Sequence, residues 1–302
     1  PPAAEDLEQP FKVEIAELYR LAQSALTEAK SFKAEMQPDL MIESLFKVGT
    51  SAGGRRPKAI ININLETNEC YSGQVATPME GFVPMIIKFD EHSSVPTTRI
   101  EYSYHLMAKD AGLKMMPSYL VEGEETAHFV TERFDRQCGK KIHIQTLAAM
   151  KPTANSYEEL FDVACRLGVV PSELKQLFLL MTMNVLGGNV DDHNKNFSFM
   201  MADDGVWHIA PAYDYTFAVD LSAPGYMNRH SMTINNKNAD IERRDLLDLA
   251  KRYNIKGADA LIDKCVDAVS KFEHFAAKAG INEQWTQQIK EEIHYRVTIL
   301  DR

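Results

Sequence analysis

The chain has 302 residues, 45% of them hydrophobic and 25% charged, with a formal net charge of −10. This composition is typical of a globular protein with room for two lobes, and its acidic balance argues against autonomous nucleic-acid binding, which needs a basic surface. No apolar run reaches membrane-spanning length and no signal peptide opens the chain, so we expect no membrane segment and a cytoplasmic location.

The cysteines and histidines do not indicate a metal centre. The four cysteines lack a C-x-x-C pair, which argues against a disulfide framework and a structural zinc site. His193 has no second histidine at helical or hairpin spacing, so a structural hydrogen-bonding role is favoured over metal ligation.

Residues 1–40 predict a linker followed by one amphipathic helix. Residues 1–10 are rich in proline, alanine and acidic side chains. Apolar residues then recur at helical spacing over residues 11–36, and Pro38 ends the pattern.

A loop of small residues, 49–54, precedes an alternating strand pattern over residues 59–65. Glycine lets the backbone approach a ligand closely, so Gly53 and Gly54 are candidate contacts for a phosphate chain. A hairpin turn without a ligand explains the same glycines equally well.

A lysine and a glutamate stand out in the next two elements. Lys88 lies in an apolar strand pattern over residues 83–89, where an ammonium group needs an anion or a route to solvent. Glu101 lies in a helix predicted over residues 98–109. A strand lysine followed by a helix glutamate is the pair that holds ATP phosphates in kinase small lobes.

Strands predicted over residues 116–122 and 126–134 lead into a polar connector at residues 135–137. We therefore predict a small β-rich lobe over residues 41–135 and a larger, mainly helical lobe over residues 136–302. The larger lobe begins with a buried helix over residues 171–186 and ends with three amphipathic segments after residue 241.

The polar stretch of residues 189–199 follows the buried helix and contains Asp191 and Asn196, with Asp214 downstream. This spacing places a carboxylate and an amide on one loop, as in phosphoryl-transfer enzymes. Lys195 can neutralise a transferring phosphoryl group or simply face solvent, and Asp192 and His193 are expected to be structural.

The order of these features is the one that a protein kinase needs: glycine-rich loop, strand lysine, helix glutamate, connector, buried helix and acidic loop. In that scheme Asp191 orients or deprotonates the acceptor hydroxyl, while Asn196 and Asp214 hold Mg²⁺ against the ATP phosphates. Lys88 steadies the phosphates with Glu101 behind it.

Four motifs together resemble the HipA family of bacterial serine/threonine kinase toxins, over residues 46–300. They are V-D-D-H-N-K-N-F-S-F, P-A-Y-D, E-R-F-D-R and K-D-A-G-L. The resemblance implies an α+β, two-lobed, protein-kinase-like fold that uses ATP and Mg²⁺. It also implies that the connector at Glu132 and Phe134 receives adenine, and that Thr50 or Ser51 is autophosphorylated.

The same resemblance implies a small DNA-binding antitoxin as partner and an aminoacyl-tRNA synthetase as one class of substrate. Residues 55–58, R-R-P-K, depart from the family's loop pattern. The additional N-terminal subdomain of full-length members is missing, so we expect either a fragment or a subdomain supplied separately. Two alternatives remain: a catalytically weak binding protein acting as antitoxin partner and co-repressor, and a small-molecule phosphotransferase.

Overall fold

The computed structural model describes residues 12–15, 18–19, 58–67, 69–72, 80–90, 94–123, 126–137 and 140–302. The chain divides into two compact units. The first comprises residues 1–99 and 117–141, and the second comprises residues 100–116 and 142–302. The sequence-based division at residues 40 and 135 stays a prediction.

A six-stranded antiparallel sheet forms the centre of the first unit, in the order β1-β3-β2-β4-β6-β5. Alternating apolar side chains of β2 and β4, including Ile61, Ile63, Met85 and Ile87, form its buried core. A short hairpin, β7-β8, follows β6. The strands are β1 (Lys12–Val13), β2 (Lys58–Ile63), β3 (Cys70–Ser72), β4 (Val83–Lys88), β5 (Ser118–Glu122), β6 (Ala127–Glu132), β7 (Arg136–Gln137) and β8 (Lys140–Lys141).

The start of the N-terminal helix was predicted wrongly. Lys12 and Val13 pair with Tyr71 and Cys70 as β1, and helical residues follow from Ile15. The reason is visible in F-K-V-E-I, where apolar and polar residues alternate with the period of a strand.

The second unit is mainly helical and is built around helix α4, in which every residue from 177 to 187 is buried. This helix packs against α3, α6 and α8, and a three-stranded sheet in the order β11-β10-β9 accompanies it. The helices are α1 (Thr97–Asp110), α2 (Leu147–Met150), α3 (Tyr157–Arg166), α4 (Pro171–Gly187), α5 (Arg243–Arg252), α6 (Ala258–Ser270), α7 (Phe272–Ala279) and α8 (Glu283–Leu300). The strands are β9 (His143–Thr146), β10 (Ser198–Met201) and β11 (Trp207–Ile209).

Helix α1 begins in the first unit, but residues 100–110 belong to the second. Ile100, Tyr104 and Met107 form its buried face, as predicted from their spacing.

Within residues 241–302, all of which the structure describes, there are four helices rather than the three predicted segments. The additional helix is α7, where Phe272, Phe275, Ala276 and Ala279 are buried at helical spacing. No helix in the described part of the chain is long and apolar enough to cross a membrane.

Candidate active site

The end of α4 fixes where the acidic loop begins. The Tyr104 hydroxyl donates to the Gly187 carbonyl over 2.5 Å, and the Tyr215 hydroxyl donates to the Met183 carbonyl over 3.1 Å. A Cβ atom on Gly187 would collide with the Tyr215 hydroxyl. Gly188 then ends the helix in the left-handed conformation, with φ of 67°. The chain therefore enters the loop at a closely packed point.

The predicted base and one predicted metal ligand are joined directly. The Asn196 side-chain Nδ2 donates to the Asp191 backbone carbonyl over 2.9 Å. The Asn196 backbone N–H donates to the His193 backbone carbonyl over 2.9 Å. Asp191 itself is exposed. Because Nδ2 is engaged, the Asn196 side chain keeps Oδ1, its metal-binding atom, for another partner.

The β10-β11 hairpin brings the segment before Asp214 onto this loop. The Ala210 amide donates to the Ser198 carbonyl over 2.9 Å, which continues the pairing beyond β11. Further on, the Tyr213 hydroxyl lies 2.6 Å from the Ser198 Oγ and donates to the Lys195 carbonyl over 2.9 Å. Burial raises the pKa of Tyr213, so its hydroxyl keeps the proton that it donates. Tyr213, the neighbour of the predicted ligand Asp214, thus holds the loop that carries the predicted ligand Asn196.

Asp214 has an unusual backbone, with φ of 51°. Asp and Asn tolerate this left-handed region better than other residues with a Cβ atom. The Asp214 carbonyl lies 3.4 Å from the Asn189 Nδ2. The segment that carries the predicted metal ligand Asp214 is therefore also close to Asn189, the first residue of the loop.

Asp192 is completely buried and is the acceptor of a polar cluster. Its Oδ2 lies 2.7 Å from the Tyr157 hydroxyl and 2.9 Å from the His230 Nδ1, and its Oδ1 accepts from the Ser231 amide over 2.8 Å. Burial, and then the Asp192 charge and hydrogen bond, raise the pKa of Tyr157 well above its ordinary value. Sequence reasoning placed Asp192 among structural residues but did not find Tyr157 or His230.

The Nδ1 of His193 does not make the structural hydrogen bond that the sequence predicted for this ring. Its Nδ1 is buried and has no hydrogen-bond partner among the residues that the structure describes. The contact that His193 contributes is instead its carbonyl, which accepts from the Asn196 amide.

Lys88 and Glu101 lie in different compact units, so their predicted pairing stays a prediction. Lys88 is half-buried at the end of β4, with its Nζ 5.8 Å from the centre of the Phe129 ring. Glu101 is buried on α1. In the first unit, Glu132 ends β6, and burial raises the pKa of its carboxyl group. Phe134 lies in the turn that follows.

An arginine pair holds the turn after β6. Arg133 donates to both carboxylate oxygens of Asp135 over 2.8 and 2.7 Å, and the Arg136 Nη1 donates to Asp135 Oδ2 over 2.6 Å. Burial opposes ionisation of Asp135, but the hydrogen bonds and charges of the two arginines together lower its pKa. This bidentate arrangement links the side chains within the predicted adenine-binding segment.

The glycine-rich loop lies outside the described residues. Gly53, Gly54, Thr50 and Ser51 all fall in it, so their proposed roles rest on the sequence.

The two predicted metal ligands have donor atoms that suit Mg²⁺. Asp214 offers a carboxylate and Asn196 an amide oxygen, which are the hard oxygen ligands that Mg²⁺ prefers. In the described part of the chain there is no group of three His, Cys, Asp or Glu side chains that could hold a metal ion. A carboxylate and an amide oxygen fit an ion that completes its shell with phosphate oxygens and water, as Mg²⁺ commonly does.

Solved structures identify the fold class. HipA of Shewanella oneidensis MR-1, solved with HipB and operator DNA, matches with a TM-score of 0.64 at 16% identity, over 99% of this chain and 74% of that one. The Helicobacter pylori proinflammatory kinase CtkA matches with a TM-score of 0.50 at 15% identity, over 74% of this chain and 89% of that one. The fold is α+β, two-lobed and protein-kinase-like, which confirms the predicted fold class.

The family follows from the sequence itself. The model of the HipA-like C-terminal domain family matches residues 50–298, so the chain belongs to that family. This confirms the resemblance drawn from the motifs. A comparison with curated proteins gave no match.

Proposed function

We propose that this protein is an ATP- and Mg²⁺-dependent serine/threonine kinase of the HipA type, which transfers the γ-phosphate to a protein hydroxyl and to its own glycine-rich loop. One observation carries the proposal. The Asn196 side chain binds the Asp191 backbone while Tyr213, next to Asp214, binds the backbone of Lys195. The proposed base and both proposed metal ligands thus belong to one hydrogen-bonded assembly, as phosphoryl transfer requires.

In this mechanism the exposed Asp191 carboxylate accepts the proton of the acceptor hydroxyl, or orients that hydroxyl for attack. Asn196 and Asp214 would hold Mg²⁺, which when bound neutralises charge on the phosphates. Lys195 would approach the transferring phosphoryl group from the same loop.

Residues that precede Asp191 in the chain would bind the nucleotide. Lys88 would contact the phosphates with Glu101 as its partner, and Gly53 and Gly54 would cover them. Glu132 and Phe134 would receive the adenine. The pair of arginines on Asp135 supports this last role, because it links the side chains of the turn that follows β6.

For partners we propose a small DNA-binding antitoxin, since the Shewanella HipA was solved with HipB and operator DNA. The substrate class suggested by the family resemblance is an aminoacyl-tRNA synthetase.

The proposal can be tested by mass spectrometry of the purified protein after incubation with Mg-ATP. We expect a phosphate on Thr50 or Ser51 in the wild type and none in Asp191→Ala, because the base is lost. Asp248→Ala is the matched control, since Asp248 is an exposed carboxylate on α5; it should be phosphorylated like the wild type.

Equal phosphorylation of the wild type and Asp191→Ala would contradict the role of Asp191. A wild type that neither binds ATP nor transfers phosphate would favour the binding protein over the kinase. Transfer to a sugar or antibiotic hydroxyl, with none to protein, would favour the small-molecule phosphotransferase.

A further inference from the structure

We propose that Asp192 and His230 are positioning residues for Asp191, and that Arg296 on the C-terminal helix holds His230 in the tautomer that this role requires. The inference rests on the proposed kinase function and deepens it. It is carried by the direction of each hydrogen bond in a buried cluster and by the residues to which that cluster is attached.

Arg296 determines which nitrogen of His230 carries the proton. The Arg296 Nη1 lies 3.3 Å from the His230 Nε2. A guanidinium group has only donors, so Nε2 must be the acceptor. The ring proton then lies on Nδ1, which donates to Asp192 Oδ2 over 2.9 Å. A proton on Nε2 would instead face the guanidinium N–H.

A second hydrogen-bond chain reaches Asp192 through Tyr157. The Asn189 Nδ2 donates to the Asn184 Oδ1 over 2.9 Å, and the Asn184 Nδ2 donates to the Tyr157 oxygen over 2.9 Å. The Tyr157 hydroxyl then donates to Asp192 Oδ2. Both chains end on one carboxylate, which is reasonable because an ionised carboxylate only accepts. Asp192 has no exposed surface, so these donors replace the hydrogen bonds that water would otherwise supply.

The cluster holds Asp191 from both sides. The Ser231 amide donates to Asp192 Oδ1 over 2.8 Å and lies 3.0 Å from the Val190 carbonyl, to which the Ser231 Oγ also donates over 3.1 Å. Val190 and Asp192 are the two neighbours of Asp191 in the chain. The segment that begins at His230 therefore binds the backbone of one neighbour of the proposed base and the side chain of the other, without contacting a substrate.

The same cluster reaches the C-terminal helix. Arg296 lies on α8, where its Nε donates to Glu292 Oε1 over 2.8 Å and its Nη1 also lies 3.3 Å from the Val185 carbonyl. One guanidinium group thus connects α8, the end of α4 and His230. Loss of the Arg296 guanidinium group should allow His230 to adopt the other tautomer. No atom of the loop of residues 189–199 is removed by this change.

The test compares three histidine variants by their rate of autophosphorylation at saturating Mg-ATP and by the ATP concentration that gives half that rate. His230→Leu keeps much of the ring's volume and removes the donor. A misplacement of about 1 Å can cost about 100-fold in rate, so we expect a loss of that order with little change in the half-saturating ATP concentration. His230→Asn keeps an N–H near the position of Nδ1 and should restore most of the rate. His294→Leu, on the exposed side of α8, should match the wild type.

Equal loss of rate in His230→Leu and His230→Asn would overturn the positioning role, because it would mean that packing rather than the donor matters. Circular dichroism and thermal unfolding check that the variants fold. If His230→Leu does not fold, Arg296→Met serves in its place. We expect a lower rate in that variant, and an unchanged rate would overturn the proposal.

A second measurement does not depend on kinase activity. Long-range ¹H–¹⁵N spectra of histidine-labelled protein distinguish the tautomers, and the His230 signal is the one missing in His230→Asn. We expect Nδ1 protonated and Nε2 unprotonated in the wild type; any other form overturns the proposal, whatever the transfer rate. If the expected tautomer is present but the wild type transfers no phosphate, the kinase function fails and the positioning role fails with it. The spectrum would then show that the hydrogen-bond geometry is as proposed and is not the cause of the missing phosphate transfer.

Discussion

His105 lies on α1 with 2% of its surface exposed, and its Nδ1 has no hydrogen-bond partner among the described residues. Burial, with a smaller contribution from the Lys109 charge, lowers its pKa from 6.5 to about 4. The folded protein therefore keeps a neutral ring at pH values where the unfolded chain binds a proton.

This difference makes stability depend on pH. Because the unfolded state binds the extra proton between pH 6.5 and 4, the free energy of unfolding should fall as pH decreases through that range. The contribution of His105 at pH 5 is about 2 kcal/mol. Urea unfolding at pH 7 and pH 5 should show a smaller difference in His105→Leu than in the wild type.

His274→Leu is the control for that measurement, because His274 is exposed on α7. It should keep the wild-type difference between the two pH values. If His105→Leu shows the same difference as the wild type, then His105 is not the group responsible.

At this scale the sequence could propose reactive groups but not the groups that pack around them. Asp191, Asn196 and Asp214 could be proposed because their spacing is local. Tyr157 and His230 contact Asp192 across 35 and 38 residues of sequence. A hydrogen bond across such a separation leaves no local pattern in a single sequence.

At the scale of elements, periodicity predicted several of the longer helices and strands within a residue or two of their bounds. The buried helix predicted over residues 171–186 is α4 (Pro171–Gly187). The D-D-G turn of residues 203–205 joins β10 to β11, with Gly205 at φ of 79°. Errors arose where a pattern was short, as in β1 with two residues, or where two helices follow each other at Lys271.

The junction of α4 with the acidic loop gives a prediction for an element boundary. Gly187→Ala would place a Cβ atom against the buried Tyr215 hydroxyl. Overpacking of this kind costs about 1 to 3 kcal/mol, which urea unfolding can measure. The rate of phosphate transfer should fall as well, since Tyr215 directly follows Asp214.

Gly225→Ala provides the comparison, because a Cβ atom there would have no neighbour within 4 Å. It should change the free energy of unfolding by less than about 0.5 kcal/mol, as is usual for surface substitutions. Similar losses in both variants would show that glycine substitution itself, rather than the contact with Tyr215, is responsible.

At the scale of the whole molecule, the proposed nucleotide-binding residues are divided between the two compact units. Lys88 belongs to the first unit, whereas Glu101, Asn196 and Asp214 belong to the second. Sequence order alone could place these residues in one scheme, because protein kinases present them in a fixed order. Distances between residues that are far apart in the chain cannot be read from that order.

The proposed roles of Lys88 and Asp214 lead to a prediction about how much Mg-ATP stabilises the folded protein. A ligand that binds only the folded state raises the melting temperature by mass action. We expect Mg-ATP to stabilise the wild type, and either Lys88→Met or Asp214→Asn alone to remove most of that shift. Chelation of Mg²⁺ with EDTA should have the same effect as Asp214→Asn. Thermal shift measurements across a series of ATP concentrations provide the test.

Lys278→Met is the matched control, since Lys278 is exposed on α7. It should keep the full Mg-ATP shift. An undiminished shift in Asp214→Asn would show that this carboxylate does not hold the metal, and an undiminished shift in Lys88→Met would exclude this lysine from phosphate binding.

The left-handed backbone at Asp214 also restricts how the gene can change at this codon. Besides Asp, the residues that adopt such a φ with least strain are Asn and Gly. Both are reached from either Asp codon by a single transition, G to A at the first base or A to G at the second. Each change would preserve the local backbone while removing the carboxylate. One nucleotide therefore separates the proposed kinase from a folded protein that keeps its surfaces for partners but has lost this metal ligand.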